Sequence, residues 1–326
     1  MTSPDAGLQG NFADDSVVVI VPVRNDARRL RVLLESLRQQ TCAHALVVVD
    51  NGSSDESSSV AASFGAKVLD GSGLKVGALR NLGVANSQSF WVAFCDSDHE
   101  VPADWLQTGL AALKHYPGKT VIGSHYLAPK DSTWVQSAWA IHRLRAMGRG
   151  AEETEWLGAG NMLLRREDFD SIGGFSENLV AAEDVDLCHR LRGAGGRVIC
   201  DPAVRSFHHG EPKTIAIFLR KEYWRGSSGL KAWFKSGCPM SDIPSFIWPL
   251  WHLLVPVLTV LVAAFVWYNG GAGGLWLLVG LLLWVAPAFA LAVKNAMPYG
   301  VVRVIQLSVL YFMYGLARAA ALFKGW

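Results

Sequence analysis

The sequence is short of charge, and unevenly so. Asp, Glu, Lys and Arg make up 18% of its 326 residues; they are frequent up to about Asp242 and scarce beyond it. The net charge is only +2, and no basic stripe is interleaved with aromatics, which argues against nucleic acid as a partner. Cysteine is sparse too. Cys42, Cys95, Cys188, Cys200 and Cys238 are odd in number and widely spread, with no C-x-x-C pair. Neither a disulfide framework nor a zinc site is expected, and a reducing compartment fits. Met1 to Asp15 lacks the basic and apolar regions of a secretory signal and reads as a disordered lead-in. Also missing is a glycine-rich phosphate loop after the first apolar run, where the chain has Pro22-Val23-Arg24-Asn25. A nucleotidyltransferase would be expected to carry one.

What is present alternates between strand and helix patterns. Val17 to Val23 is a β-branched apolar run that predicts a buried strand closed by Pro22. A polar turn at Arg24, Asn25 and Asp26 leads to Ala27–Gln40, where Leu30, Leu33, Leu34 and Leu37 recur at helical spacing. Ala45 to Val49 repeats the strand pattern and ends on Asp50, which either caps the next helix or meets a base or ribose. A short strand over Ala66 to Leu69 precedes a helix over Lys75 to Ala85. Lys75 and Arg80 near its start are either surface charges or an anion site. Phe90 to Glu100 (F-W-V-A-F-C-D-S-D-H-E) is an apolar strand that ends in two carboxylates, Asp96 and Asp98. Ligands of open α/β sheets bind at the carboxyl ends of strands, so this pair is either an acidic rim or a Mg²⁺ or Mn²⁺ site beside a nucleoside diphosphate. The alternation predicts an α/β fold with a mostly parallel sheet covered on both faces.

Six blocks in order carry a resemblance: V-P-V-R-N, V-D-N-G-S-S-D, A-L-R-N-L-G-V-A, D-S-D, W-L-G-A-G-N-M-L-L-R-R and E-D-V-D-L-C-H-R-L. Together they make roughly Val17 to Trp224 similar to the family-2 glycosyltransferases of the GT-A fold. The resemblance implies inverting transfer of a sugar from a nucleoside-diphosphate donor to a hydroxyl of a lipid-linked or growing glycan, with a divalent cation, Mn²⁺ or Mg²⁺. It implies that Asp50 faces the base and that Arg80 lies near the diphosphate. Asp96 would approach the ribose, close to the cation that Asp98 ligates. Pro22, Arg24, Asn25 and Lys75 join the substrate-binding set. Gly160 and Asn161 are either a tight turn or a wall through which backbone approaches the sugar. The acid pair at the start of the E-D-V-D helix would supply the general base, Asp184 first and Glu183 as alternative. His208 is preferred to His209 as a further cation ligand, and an imidazole favours Mn²⁺. Arg220 and Trp224 resemble, loosely, a basic-aromatic segment beside acceptor and diphosphate. Transfer onto a polyprenyl phosphate is the competing reaction, and a catalytically inactive membrane scaffold is the competing class.

The chain changes solvent after about residue 235. Phe246–Tyr268 and Gly274–Val293 are uncharged runs of about 20 residues, the length that crosses a hydrocarbon core, with Trp and Tyr near their ends. Lys213, Arg220, Lys221, Arg225, Lys231 and Lys235 precede them against Glu222 alone, which suits a cytoplasmic, anionic surface. A third apolar run, Val304–Phe323, carries Arg318 and either spans or lies on the membrane. The expected plan is a glycosyltransferase domain over 16–235 in the cytoplasm and a multi-pass anchor over 236–326 in the inner membrane.

Overall fold

The structure, a computed structural model, describes residues 16–144, 150–226 and 244–323. The expected lead-in, Lys231, Lys235, Cys238, Lys324 and the expected boundary near residue 235 lie outside them. The backbone packs into two compact units: residues 16–129 with 150–210, and residues 130–144 with 211–226 and 244–323.

The first unit begins as the apolar runs dictate. Strand β1 (Val17–Val23) leads into helix α1 (Ala27–Arg38), β2 (Ala45–Asp50), α2 (Ser57–Ser63), β3 (Lys67–Asp70), α3 (Val76–Ala85) and β4 (Trp91–Cys95). Then follow β5 (His99–Glu100), α4 (Trp105–His115), β6 (Thr120–Gly123) and, in the second unit, α5 (Trp134–Leu144). The first unit resumes with β7 (Glu152–Glu153), β8 (Asn161–Arg165), α6 (Arg166–Ser171), α7 (Glu183–Gly193), β9 (Arg197–Cys200) and β10 (Phe207–His208).

The large sheet runs β3-β2-β1-β4-β8-β6-β9-β7. β3, β2, β1 and β4 are parallel, as are β6 and β9, while β8 runs antiparallel to both β4 and β6. This reversal brings the amino end of β8 to the edge where the parallel strands finish, with Asn161 opposite Cys95. β1 shows why its run is apolar throughout. Val17, Val19, Val21 and Val23 pack with Leu30, Leu33, Leu34 and Leu37 on one face. Val18 and Ile20 pack with Leu79, Val84, Leu187 and Leu191 on the other. Each leucine so buried contributes about 1.5–3 kcal/mol relative to exposure. The ladder to β4 ends at Ile20, before Pro22, which has no N–H to offer it.

The second unit is helical: α5, α8 (Ile215–Gly226), α9 (Pro244–Tyr268), α10 (Gly273–Ala296) and α11 (Val301–Leu322). α9 and α10 match the two uncharged runs and turn their leucines outward, Leu258, Leu261, Leu281 and Leu282 among them. All three C-terminal helices are long and apolar enough to cross a membrane. α11 is the inner one: 44% of its most apolar stretch is buried, against 11% in α9 and 17% in α10. Its Val304, Leu307, Leu310 and Tyr311 pack on Trp139 of α5, Phe218 of α8 and Ala288, Ala292 and Ala296 of α10. Arg318, which the sequence leaves as a charge in an apolar run, donates to Glu222 of α8 at 2.9 Å. Glu222 is 1% exposed and also receives Arg225 at 2.6 Å, so the buried carboxylate and the helix arginine neutralise each other.

Gly123, at the end of β6, has no space for a side chain: a Cβ there would stand 2.0 Å from the main-chain oxygen of Asn161. Gly123→Ala is expected to lower stability by about 1–3 kcal/mol, the usual cost of overpacking, measured by thermal unfolding in detergent. Gly150→Ala, whose Cβ meets nothing within 4 Å, should leave it unchanged.

Candidate active site

The parallel strands deliver their acids to one edge. Asp50 ends β2; Asp96 and Asp98 follow β4. The reversed β8 starts with Asn161 at the same edge, and Gly160 immediately precedes it. Gly160 is required there by close approach: a Cβ would lie 2.7 Å from Asp96 Oδ2 and 2.9 Å from His99 Nε2. Next to it in the chain, the N–H of Ala159 reaches the Asp184 carboxylate, as does that of Val185 at 2.8 Å. The Ala159–Gly160 ridge thus meets Asp184 through the Ala159 N–H and meets Asp96 and His99 through Gly160.

Asp98 heads a compact group. β5 and β10 form a two-stranded antiparallel ribbon in which His208 stands opposite His99. Nε2 of His208 lies 3.1 Å from Asp98 Oδ2, and one ligand atom from each of Asp98, His99 and His208 falls within 4.8 Å of the others. Gly210 keeps the space open: a Cβ would sit 2.1 Å from Asp98 Oδ2 and 2.7 Å from His208 Nε2. Burial opposes charge on Asp98, but the hydrogen bond with His208 and the charges of His208, His99 and Arg29 overcome it. Its pKa falls far below the ordinary aspartate value. An ionised oxygen with two imidazoles is a donor set that suits Mn²⁺ better than Mg²⁺. The residues therefore fit a divalent cation. His209 points elsewhere, with Nε2 2.9 Å from Glu100 Oε2.

The two acids at the start of α7 differ. Glu183 is 7% exposed, and its Oε1 accepts Arg80 Nη1–H at 2.7 Å. Asp184 is half-buried. Burial first, and the neighbouring Glu183 charge second, raise its pKa above the usual aspartate value, against the Val185 and Ala159 N–H groups and Arg80. A half-exposed carboxylate with raised affinity for protons can take one from a hydroxyl; Glu183, held in an ion pair, is less free to do so.

Several expected contacts look different in place. Arg80 was expected near a diphosphate, but it is 3% exposed, with its second nitrogen donating to Asp96 Oδ1 at 2.7 Å. Both its charged ends are held by carboxylates. Asn161 is wholly buried, accepting Trp105 Nε1–H at 2.8 Å and donating to Val204 O at 2.7 Å and Ser124 Oγ at 3.0 Å. Both the oxygen and the nitrogen of its amide are taken up within the fold. Asp50 accepts from Ser53 N at 3.1 Å, and from the Ser53 and Ser58 hydroxyls. Asn25, at φ +51°, accepts from Ser54 N at 2.7 Å, so the loops after β1 and β2 are tied together, with Arg24 exposed on them and Pro22 buried behind. Lys75 donates to Asn178 O at 2.7 Å. Arg220 and Trp224 lie on α8, which belongs to the second unit. His99 is the member of this group that sequence reasoning missed; its signal in the sequence is its place directly after D-S-D.

The profile of glycosyl transferase family 2 matches residues 18–173. These residues form a family 2 glycosyltransferase domain. The chain is 29% identical over 228 residues to a pre-mycofactocin glycosyltransferase of Mycobacterium tuberculosis, a match covering 65% of this chain and 46% of that protein. It is 23% identical to the glycosyltransferase AglE of Haloferax volcanii, covering 73% of this chain and 80% of that one. The chain thus spans about half the length of its mycobacterial relative. Among solved structures it is similar to the mannosyltransferase PcManGT from Pyrobaculum calidifontis, in complex with GDP-Man and Mn²⁺. That likeness has a TM-score of 0.54 at 18% identity, over 95% of this chain and 86% of that one. The fold of the family 2 domain is therefore GT-A, as the ordered motifs imply.

The depressed Asp98 pKa makes a testable link to stability. Ionised Asp98 stabilises the fold above the unfolded aspartate pKa, about 3.9, and the contribution is lost as pH falls toward the lower folded value. In EDTA, Asp98→Asn should flatten the loss of thermal stability of the wild type below about pH 4, read by differential scanning fluorimetry.

Proposed function

We propose that the chain is an inverting, cation-dependent glycosyltransferase that moves a sugar from a nucleoside-diphosphate donor to a hydroxyl of a lipid-linked or growing glycan. The observation that carries this reading is the convergence on the Ala159–Gly160 ridge, where Asp184 accepts the Ala159 N–H, Asp96 and His99 crowd Gly160, and His99 groups with Asp98 and His208. Asp184 accepts the proton of the acceptor hydroxyl as it attacks the anomeric carbon. Its raised pKa favours a hydroxyl acceptor, because a phosphate acceptor is already ionised and needs no base. Asp50 and Asp96 orient the nucleotide, and Gly160 lets backbone approach the sugar. A divalent cation held by Asp98 and His208, with His99 beside them, would neutralise charge on the departing diphosphate. The GDP-Man and Mn²⁺ bound by PcManGT support the donor and cation classes.

The helical unit anchors the enzyme in the inner membrane as a multi-pass element. The basic residues Lys213, Arg220, Lys221 and Arg225, ahead of α9, keep the catalytic domain on the cytoplasmic side. Arg220 and Trp224 serve the acceptor or its lipid surface.

Release of nucleoside diphosphate from a panel of UDP-, GDP- and dTDP-sugars tests this. Turnover with Mn²⁺ that EDTA removes is expected; no release from any donor under either condition would contradict it. Asp98→Ala should abolish Mn²⁺-dependent binding of the nucleoside diphosphate by calorimetry. Asp184→Asn should spare that binding and lower transfer by a factor of about 10²–10⁴. Because the base acts deprotonated and its pKa is raised, the acid limb of kcat should lie above the ordinary aspartate value of about 3.9. An undiminished rate in Asp184→Asn would remove that residue from the role.

A further inference from the structure

Arg80 ties together two parts of the site that the sequence keeps far apart. Its Nη2 donates to Asp96 Oδ1 and its Nη1 to Glu183 Oε1, each at 2.7 Å, across sequence separations of 16 and 103 residues. The guanidinium is 3% exposed, and its carbon lies 5.3 Å from the centre of the Phe175 ring, within range of a cation–π contact. The planar fork of an arginine can meet two carboxylates at once, which a lysine ammonium does less well.

The neighbours of Arg80 hold the same segment. Asn81 grips the Phe175 backbone from both sides, donating to its oxygen and accepting its N–H, each at 2.9 Å. Gly77, about one turn earlier on α3, lies so close that a Cβ would be 3.0 Å from Ser176 O and 3.6 Å from Glu183 Cβ. Ala182, just before Glu183, is left-handed at φ +62° without being glycine. Such a backbone persists only where its surroundings hold it. Glu183 then turns into the protein toward Arg80, and Asp184 is left beside the ridge.

We propose that Arg80 is a positioning residue, not a diphosphate contact: it fixes the start of α7, and so Asp184, against the donor-side carboxylate Asp96, with Glu183 as its buried anchor. The role of Asp184 in this statement rests on the glycosyl-transfer reading above. The clamp itself is independent of that reading.

The test uses the full chain in detergent and three readouts on Arg80→Lys, Arg80→Met and Glu183→Gln. These are calorimetric affinity for UDP and GDP with Mn²⁺, kcat for donor turnover, and hydrogen–deuterium exchange of the 182–187 amides. Loss of the clamp should speed exchange at 182–187 and lower kcat by up to about 100-fold, as a misplaced group does. Affinity for the nucleoside diphosphate should change by less than about threefold, well under the tenfold that 1.4 kcal/mol represents. Glu183→Gln, which keeps a hydrogen-bond acceptor for Arg80, should fall between Arg80→Met and wild type; it serves as the decisive variant if Arg80→Met does not fold. Affinity reduced tenfold or more with unchanged exchange at 182–187 would overturn the proposal and make Arg80 a diphosphate ligand. A wild type that turns over no donor would refute the glycosyl-transfer reading, while the exchange readout would still decide whether the clamp exists.

Discussion

A buried guanidinium cannot stand unpaired, and around Arg80 that requirement shapes the site. Removing one partner of a buried ion pair generally costs about 3–5 kcal/mol, so the chain has to deliver carboxylates to α3 from elsewhere. It does so from the end of β4, with Asp96, and from the start of α7, with Glu183. The triad draws a strand end and a helix start to the same point, and the residues adjoining them, Asp98 and Asp184, are carried along. Site geometry here follows from a charge that has to be neutralised within the fold.

Close backbone approach does the remaining alignment. Gly160 and Gly210 stand where any side chain would collide with Asp96, His99, Asp98 or His208, so two glycines hold open the space that ionised and imidazole donors surround. The β5–β10 ribbon is only two residues long on each strand, yet its register puts His208 opposite His99 and leaves His209 for Glu100. In the helical unit the same rule of buried charge recurs on a smaller scale. Glu222 is satisfied by Arg225 and Arg318, which allows α11 to carry an arginine among apolar neighbours.

The fold was legible where burial imposes a pattern. A strand covered on both faces must be apolar at every position, and β1 and β4 are; a helix with one buried stripe repeats as Leu30, Leu33, Leu34 and Leu37 do. The acids that follow β2 and β4, and those that open α7, could be recognised because they break such runs abruptly. Much of the site was not legible, for reasons of distance. Whether Arg80 faces solvent or two carboxylates depends on a residue 103 positions away, and its own helix gives no hint. Asn161 looks like part of a glycine-rich turn until Trp105 and Val204 occupy its amide. His99 depends on a strand register that two residues cannot announce. α4 does carry helical spacing at Leu106, Leu110 and Leu113, but no acidic or glycine motif marks it.

The central claim is that a cation and a buried arginine divide the carboxylates between them, Asp98 to the metal and Asp96 with Glu183 to Arg80. Crystals grown with Mn²⁺ and a nucleoside diphosphate test it most directly through the anomalous signal of manganese. The account predicts a peak bound by Asp98 and His208, with Arg80 still joined to Asp96 and Glu183. A peak held by Glu183 or Asp184, with the Arg80 guanidinium turned onto the diphosphate, would contradict it.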